Sequence, residues 1–345
     1  MKRIVLANDH SSNYIKAYRD GRLPILNIWG SGNCDLKCIY CATGAGEPDE
    51  GELSARETIR VIDEARSGLG CDTVSINGKG EPIIDPNFPE VLEHIRKSGM
   101  KFTISTNGRN ITPTIARALK KAGANVVMKL PSHRPEVYEE LSGVRGSFRR
   151  AREGLMNLVD AGFGGDVKET KNEIVTDLSL MYLLAKPAFD SFDVYLGACQ
   201  RFMAFPMIDG IVADGRVIDN MNMDELALSP EDDEVLYMRF RDVMGYKYEG
   251  EPNKNCPIRW GIFVDNQGNV RADMKGNSCD VPYKDTVGNV REHRLPELWG
   301  RLEGLREKSG NVCSVFGGTY NGNVFPKCYR MQETQEVYRR LRPTS

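Results

Sequence analysis

Short apolar runs alternate along this chain with longer stretches whose apolar residues recur at helical spacing. Residues 23–29 form an apolar, strand-like run that enters the turn Gly30-Ser31-Gly32. Ser54 opens a helix, with Glu57 three residues later completing a capping box. Ile59, Ile62 and Ala65 follow on one face, and Gly68 and Gly70 stop it. The alternation continues with a strand over 72–77, a helix over 89–98 that turns Val91, Leu92 and Ile95 inward, and a strand over 101–106. A helix over 113–122, a strand over 125–130 and a helical region reaching Ala161 come next. Residues 166–174 and 191–196 read as a fifth and a sixth strand, with 178–184 helical between them.

Six strand–helix units across 23–215 predict a parallel sheet with helices outside. Right-handed crossovers curl such a sheet, and a closed barrel of this type needs eight repeats. The expected fold is therefore α/β, a partial (β/α)6 TIM-like barrel, with residues 1–22 as a short lead-in. Beyond about 215 the alternation stops. Residues 226–245 carry a helical pattern capped by Ser229, and 250–330 are rich in Gly and Asn, with a hairpin signal at 262–271. Residues 216–345 are thus expected to form a helical linker and a small, loop-rich α+β domain.

Charge adds little: 46 Lys and Arg face 48 Asp and Glu among 345 residues, which gives no basis for a nucleic-acid partner. No apolar run reaches the ~18 residues of a membrane span, and the N-terminus lacks a signal-peptide core. A cytoplasmic protein is expected. The nine cysteines change the picture more. Cys34, Cys38 and Cys41 lie within eight residues, just past the first strand. In a parallel α/β barrel that is the end where active sites sit. Three thiolates on one loop can wrap an iron–sulfur cluster. A zinc site would call for a fourth Cys or His nearby, and the loop has none.

C-x3-C-x2-C with Tyr40 before the last cysteine resembles the signature of the radical S-adenosylmethionine (SAM) enzymes. Asn77-Gly78-Lys79-Gly80-Glu81-Pro82, after the second strand, resembles that family's glycine-glycine-glutamate-proline motif, with Lys79 departing from the first glycine. The resemblance covers about 23–215. It implies a [4Fe–4S] cluster on Cys34, Cys38 and Cys41, with SAM on the open iron and cleaved to a 5′-deoxyadenosyl radical. It also implies a cofactor wall from Tyr40, Gly78, Gly80, Glu81 and Pro82, and contacts from Ser105, Asn107 and Ser132 at later strand ends. Cys256, with the hairpin after it, resembles the start of a SPASM or twitch domain. That implies a second [4Fe–4S] cluster on Cys256, Cys279, Cys313 and Cys328, although Ala272-Asp273 stand where many such domains have a cysteine.

Glu169, Lys171 and Glu173 alternate on the fifth predicted strand, so they share a face that either lines the barrel as a substrate wall or meets solvent. Cys199, after the sixth predicted strand, reads as a buried core residue or as a hydrogen-atom donor to a substrate radical. The short lead-in points to a small-molecule substrate of sugar, aminocyclitol or nucleoside type. The outcome would be oxidation, epimerisation or decarboxylation in natural-product biosynthesis, with flavodoxin or ferredoxin as electron donor. A peptide-modifying enzyme, and an iron–sulfur electron-transfer protein without chemistry of its own, stand as rivals. The sequence leaves the oligomeric state open.

Overall fold

The structure is a computed structural model. It describes residues 3–7, 16–18, 20–165, 167–169, 173–211, 215–219, 223–229, 231–232, 235–236, 238–239, 261–271 and 286–308. The barrel strands are β2 (Ile25–Trp29), β3 (Thr73–Asn77), β4 (Lys101–Thr106), β5 (Ala124–Lys129), β8 (Leu178–Leu184) and β9 (Phe205–Gly210). They pair in parallel in that order. The helices between them are α1 (Ala55–Leu69), α2 (Phe88–Ser98), α3 (Pro113–Lys121), α4 (Pro135–Ser142), α5 (Ser147–Asp160) and α6 (Phe192–Arg201). The sheet stays open, as the repeat count predicts.

Helix α1 shows how local chemistry sets the boundaries. The Ser54 hydroxyl accepts from the Glu57 amide at 3.3 Å, and the Glu57 carboxylate accepts from the Ser54 amide at 2.9 Å. Gly70 closes the helix in the left-handed region, at φ +60°. Ser54→Ala removes one of these bonds and should lower stability by about 1 kcal/mol, read by urea unfolding.

The two faces of the sheet differ in chemistry because side chains alternate along each strand. Leu26, Ile28, Val74, Ile76, Phe102, Ile104, Val126 and Met128 join Val61, Ile62 and Ile95 of the helices in the main core. Asn27, Ser75 and Asn125, all buried, point to the opposite, concave face together with half-buried Thr103 and Ser105. The register sets Asn27 beside Ser75, Ser75 beside Thr103 and Thr103 beside Asn125. The concave face is therefore lined by a polar row.

The second half of the barrel departs from the sequence reading. Residues 178–184, expected as helix, are strand β8, buried along almost its whole length. A strand covered on both faces is continuously apolar, a pattern that cannot be told from a buried helix by period. The expected sixth strand at 191–196 is the start of α6. Phe192, Tyr195, Leu196 and Cys199 are its buried residues, at i, i+3, i+4 and i+7. The expected fifth strand at 166–174 is replaced by β6 (Lys168–Glu169) and β7 (Glu173–Thr176), which join β1 (Arg3–Leu6) in a separate three-stranded sheet. That sheet lies off the barrel, so Glu169 has no place on a barrel strand, and Lys171 lies outside the described residues.

The C-terminal half returns to the barrel. Strands β10 (Gly261–Val264) and β11 (Asn269–Arg271) form the expected hairpin. Strand β10 runs parallel to β2, pairing Gly261 with Ile25 through Val264 with Ile28. Strand β12 (Gly288–Asn289) extends the sheet, and α9 (Leu295–Lys308) lies on α1, where the Glu64 carboxylate accepts from the Leu295 amide at 2.6 Å. Short helices α7 (Arg216–Asp219) and α8 (Met223–Leu226) follow β9.

Candidate functional site

The loop carrying Cys34, Cys38 and Cys41 begins where β2 ends, at the C-terminal edge of the sheet. Its backbone is tied down on three sides. The Cys34 amide donates to the Gly46 carbonyl at 2.9 Å, and the Gly46 amide donates to the Gly32 carbonyl at 3.1 Å. The Lys37 and Ile39 amides donate to the carbonyls of Ser142 and Leu141, both at 3.0 Å. Carbonyls in a last helical turn have no partner within the helix, and here the cysteine loop uses them. Gly143 makes this approach possible, since a Cβ there would stand 2.4 Å from the Lys37 carbonyl oxygen. On the third side Asp35 pairs with Arg109 at 2.9 Å and accepts from the side-chain amides of Asn107 and Asn110 at 2.9 and 2.7 Å.

The three thiols are free and half-buried. Burial pushes Cys34 up to about 12 and Cys38 up to about 11. Burial opposes ionisation of Cys41 too, but hydrogen bonds from Thr43 and the Ala45 amide, with the charge of Lys129, outweigh it and set this thiol below its ordinary value. The Cys41 sulfur lies 3.3 Å from the Thr43 hydroxyl, which donates to the Lys79 carbonyl at 3.0 Å. Lys129 at the end of β5 and Arg216 at the start of α7 both bring positive charge toward Cys38. The Arg216 amide also donates to the Cys41 carbonyl at 3.0 Å, and its guanidinium donates to the Ala45 carbonyl. Thiolates sharing one loop need such cations beside them.

Among the described residues, no three Cys, His, Asp or Glu side chains converge as single-ion ligands. A cubane gives each thiolate its own iron, so a spread triplet fits a polynuclear cluster better than one ion. The neighbouring strand ends also fit a polar ligand. Trp29 Nε1 and Asn77 Oδ1 are buried with no hydrogen-bond partner among the described residues, and their residues are register neighbours on β2 and β3.

The glycine-glutamate-proline loop stands directly on the cysteine loop. A Cβ on Gly80 would fall 2.2 Å from the carbonyl oxygens of both Ser31 and Asn33, and one on Gly78, at φ +115°, would strike the Trp29 indole. The glycines are thus required by loop-on-loop packing. The Glu81 amide donates to the Asn33 carbonyl at 2.8 Å. The Glu81 carboxylate is buried and accepts from the Thr106 hydroxyl at 2.6 Å, the Asn107 amide at 2.7 Å and the Ile83 amide at 3.2 Å. It joins the ends of β3 and β4. Pro82 is buried and begins a single 3₁₀ turn.

Of the later candidates, Ser105 faces the concave side. The Asn107 side chain is engaged by Asp35 and by the Arg109 amide at 2.9 Å. The buried Ser132 hydroxyl lies 2.8 Å from that of Ser191 and accepts from the Arg134 amide at 3.1 Å. Tyr40 is half-buried beside Cys38, and burial holds its phenol well above the usual range. Cys199 lies on the buried face of α6, in the core, where burial drives its thiol up to about 12. It packs in the main core and not on the concave face. Cys256, Cys279, Cys313 and Cys328 lie outside the described residues.

Sequence reasoning passed over Thr43, Arg109, Lys129 and Arg216, and the polar row Asn27, Ser75, Thr103 and Asn125. The row had a readable signal: polar residues at every second position of Thr73–Asn77 and Lys101–Thr106. Arg216 had none, because only the fold brings it to the cysteine loop.

Residues 30–177 match the model of the Radical SAM superfamily, so the chain carries a radical SAM domain. Such domains use a [4Fe–4S] cluster and SAM, which agrees with the donor set described above. The mycofactocin maturase MftC of Mycobacterium tuberculosis (strain H37Rv) is 36% identical over 133 residues, 38% of this chain and 33% of that protein. The Fe-coproporphyrin III synthase of Methanosarcina barkeri is 29% identical over 163 residues, 47% of this chain and 40% of that protein. The chain therefore spans 33% and 40% of the length of these two relatives. Among solved structures, Streptococcus suis SuiB bound to SAM aligns with TM-score 0.57 at 17% identity, over 84% of this chain and 68% of that one. SuiB bound to precursor peptide SuiA aligns with TM-score 0.56 at 16% identity, over 84% of this chain and 68% of that one. These two likenesses are of fold. They agree with the open, parallel α/β sheet.

Proposed function

We infer that this protein is a radical SAM enzyme whose substrate is a peptide. The observation that carries the first half is the thiol triplet, fixed at the C-terminal edge of a parallel sheet within the matched domain. When bound, the cluster and SAM supply a carbon radical able to remove a hydrogen atom from an unactivated C–H bond. The protein's own residues hold the cysteine loop, bring Lys129 and Arg216 to the thiolates, and keep the concave face polar.

The expectation of a sugar, aminocyclitol or nucleoside rested on the short lead-in. The maturase relatives and the peptide-bound SuiB structure favour a peptide instead. The polar row suits this reading, since Asn, Ser and Thr side chains can match the alternating donors and acceptors of a peptide backbone. In that row, the buried Asn125 Nδ2 has no hydrogen-bond partner among the described residues. Cys256, Cys279, Cys313 and Cys328 would hold a second cluster.

The test is anaerobic incubation with SAM, a strong reductant and the short peptide encoded nearest the gene. The expected result is 5′-deoxyadenosine formation, with a change of mass in the peptide. Deoxyadenosine formation without peptide modification, together with turnover of a sugar or nucleoside, would overturn the peptide reading. No deoxyadenosine under any condition would overturn the enzyme.

A further inference from the structure

The tip of the β10–β11 hairpin reaches the segment that follows the cysteine loop through two side chains, Gln267, which donates to the Glu50 carbonyl at 3.0 Å, and Asn266. Asn266 is buried, 4% exposed, although it sits in a turn. Its side-chain nitrogen donates to the Asp49 carboxylate at 2.6 Å and to the Glu52 carboxylate at 3.0 Å. An amide NH₂ has two protons, enough for one bond to each acid. Glu52 in turn accepts from the amides of Gly32 and Asp49, both at 2.7 Å, and so holds the start of the cysteine loop. Asp49 receives the Lys79 ammonium. Lys79 is the residue that stands where the glycine-glycine-glutamate-proline motif has its first glycine, and its carbonyl takes the Thr43 hydroxyl next to Cys41. The hairpin turn is itself rigid: Asp265 accepts from the amides of Gln267 and Asn269 at 3.0 and 2.8 Å, and the Leu53 amide donates to the Asn266 carbonyl at 2.7 Å.

We propose that Asn266 and Lys79 are positioning residues, which through Asp49 and Glu52 fix the height of the 78–81 loop above the cysteine loop. The hairpin lies outside the matched family segment and on the β2 edge of the sheet. Rearrangements of the C-terminal half would thereby reach the cofactor site. The two carboxylates share the Asn266 amide, and Asp49 alone takes the ammonium that ties it to the 78–81 loop. Without the amide the two acids repel, and without the ammonium the 78–81 loop loses its tie to Asp49. The loss should appear as weaker SAM binding rather than as loss of the cluster, because no thiol is touched.

This inference rests on the radical SAM reading. It is tested on the reconstituted full chain as wild type, Asn266→Ala, Lys79→Met, the double variant and Lys79→Arg. Iron content, thermal stability and the Kd for SAM are measured, the last from the change SAM causes in the electron paramagnetic resonance of the reduced cluster. We expect unchanged iron and a Kd raised about tenfold in each single variant. The double variant should lose less than the product of the two, and Lys79→Arg should restore binding. Unchanged Kd with a lowered melting temperature would reduce both residues to structural roles and overturn the proposal. Lys79→Met keeps the test decisive if Asn266→Ala fails to fold, since Lys79 is partly exposed. A wild type that takes up iron but shows no spectral response to SAM would overturn the radical SAM reading, and this proposal with it.

Discussion

Alanine at Cys34, Cys38 or Cys41 is expected to reduce 5′-deoxyadenosine formation to background, with the triple variant no worse than any single one. Groups that act as one unit fail together, so their losses do not add. The loop itself should survive, because its anchors are backbone amides, carbonyls and the Asp35 carboxylate, none of them a sulfur. Cluster-free variants should therefore melt close to cluster-free wild type, which separates a lost ligand from a lost fold. Iron analysis after anaerobic reconstitution completes the test. About eight irons in wild type and about four in the triple variant would establish a second cubane, for which Cys256, Cys279, Cys313 and Cys328 are the candidate ligands. About four falling to none would leave a single cluster. Turnover retained by any single variant would sink the assignment of that thiol.

The first four barrel strands and their helices were legible because each carries its own punctuation. Ser54 with Glu57, Gly70, Thr112 before Pro113, and the polar–apolar alternation of Lys101–Thr106 are local signals. The second half lacked them. Leu178–Leu184 is apolar at nearly every position, so periodicity could not decide its type, and Asp193-Val194-Tyr195-Leu196 reads as β-rich until Phe192 and Cys199 are counted with it. The three thiols were legible from spacing. Their electrostatic surroundings were not, since Lys129 and Arg216 reach them only after β5, β9 and α7 are in place. At the motif glycines the structure adds a packing requirement to the sequence reading. The sequence suggests close approach to a ligand at Gly78 and Gly80, and the structure shows Trp29 and the carbonyls of Ser31 and Asn33 where Cβ atoms would stand.

Glu81→Ala should be the most destabilising single change in the site outside the thiols. The carboxylate is 2% exposed and satisfies the amides of Ile83 and Asn107 and the Thr106 hydroxyl. Truncation strands two buried amides at about 1–3 kcal/mol each, for a loss of roughly 2–6 kcal/mol in urea unfolding of the cluster-free protein. The same burial raises the Glu81 carboxyl from 4.5 to about 7, against the pull of those hydrogen bonds. The sign follows directly. Between 4.5 and about 7 the folded protein binds the Glu81 proton more tightly than the unfolded chain does, so stability falls as pH rises through that window. Glu57, held near 2 chiefly by Arg291, loses its contribution only below 4.5. Cys34 and Cys38 titrate far above neutrality. Comparing wild type at about pH 5.5 and about pH 7.5 spans the Glu81 window, with an expected loss on the order of 2 kcal/mol. Glu81→Gln cannot ionise and should flatten the profile across that interval. A Gln variant with the wild-type slope would show that another group is responsible, whereas a flat wild type would show that Glu81 stays ionised in the fold, held by its three donors.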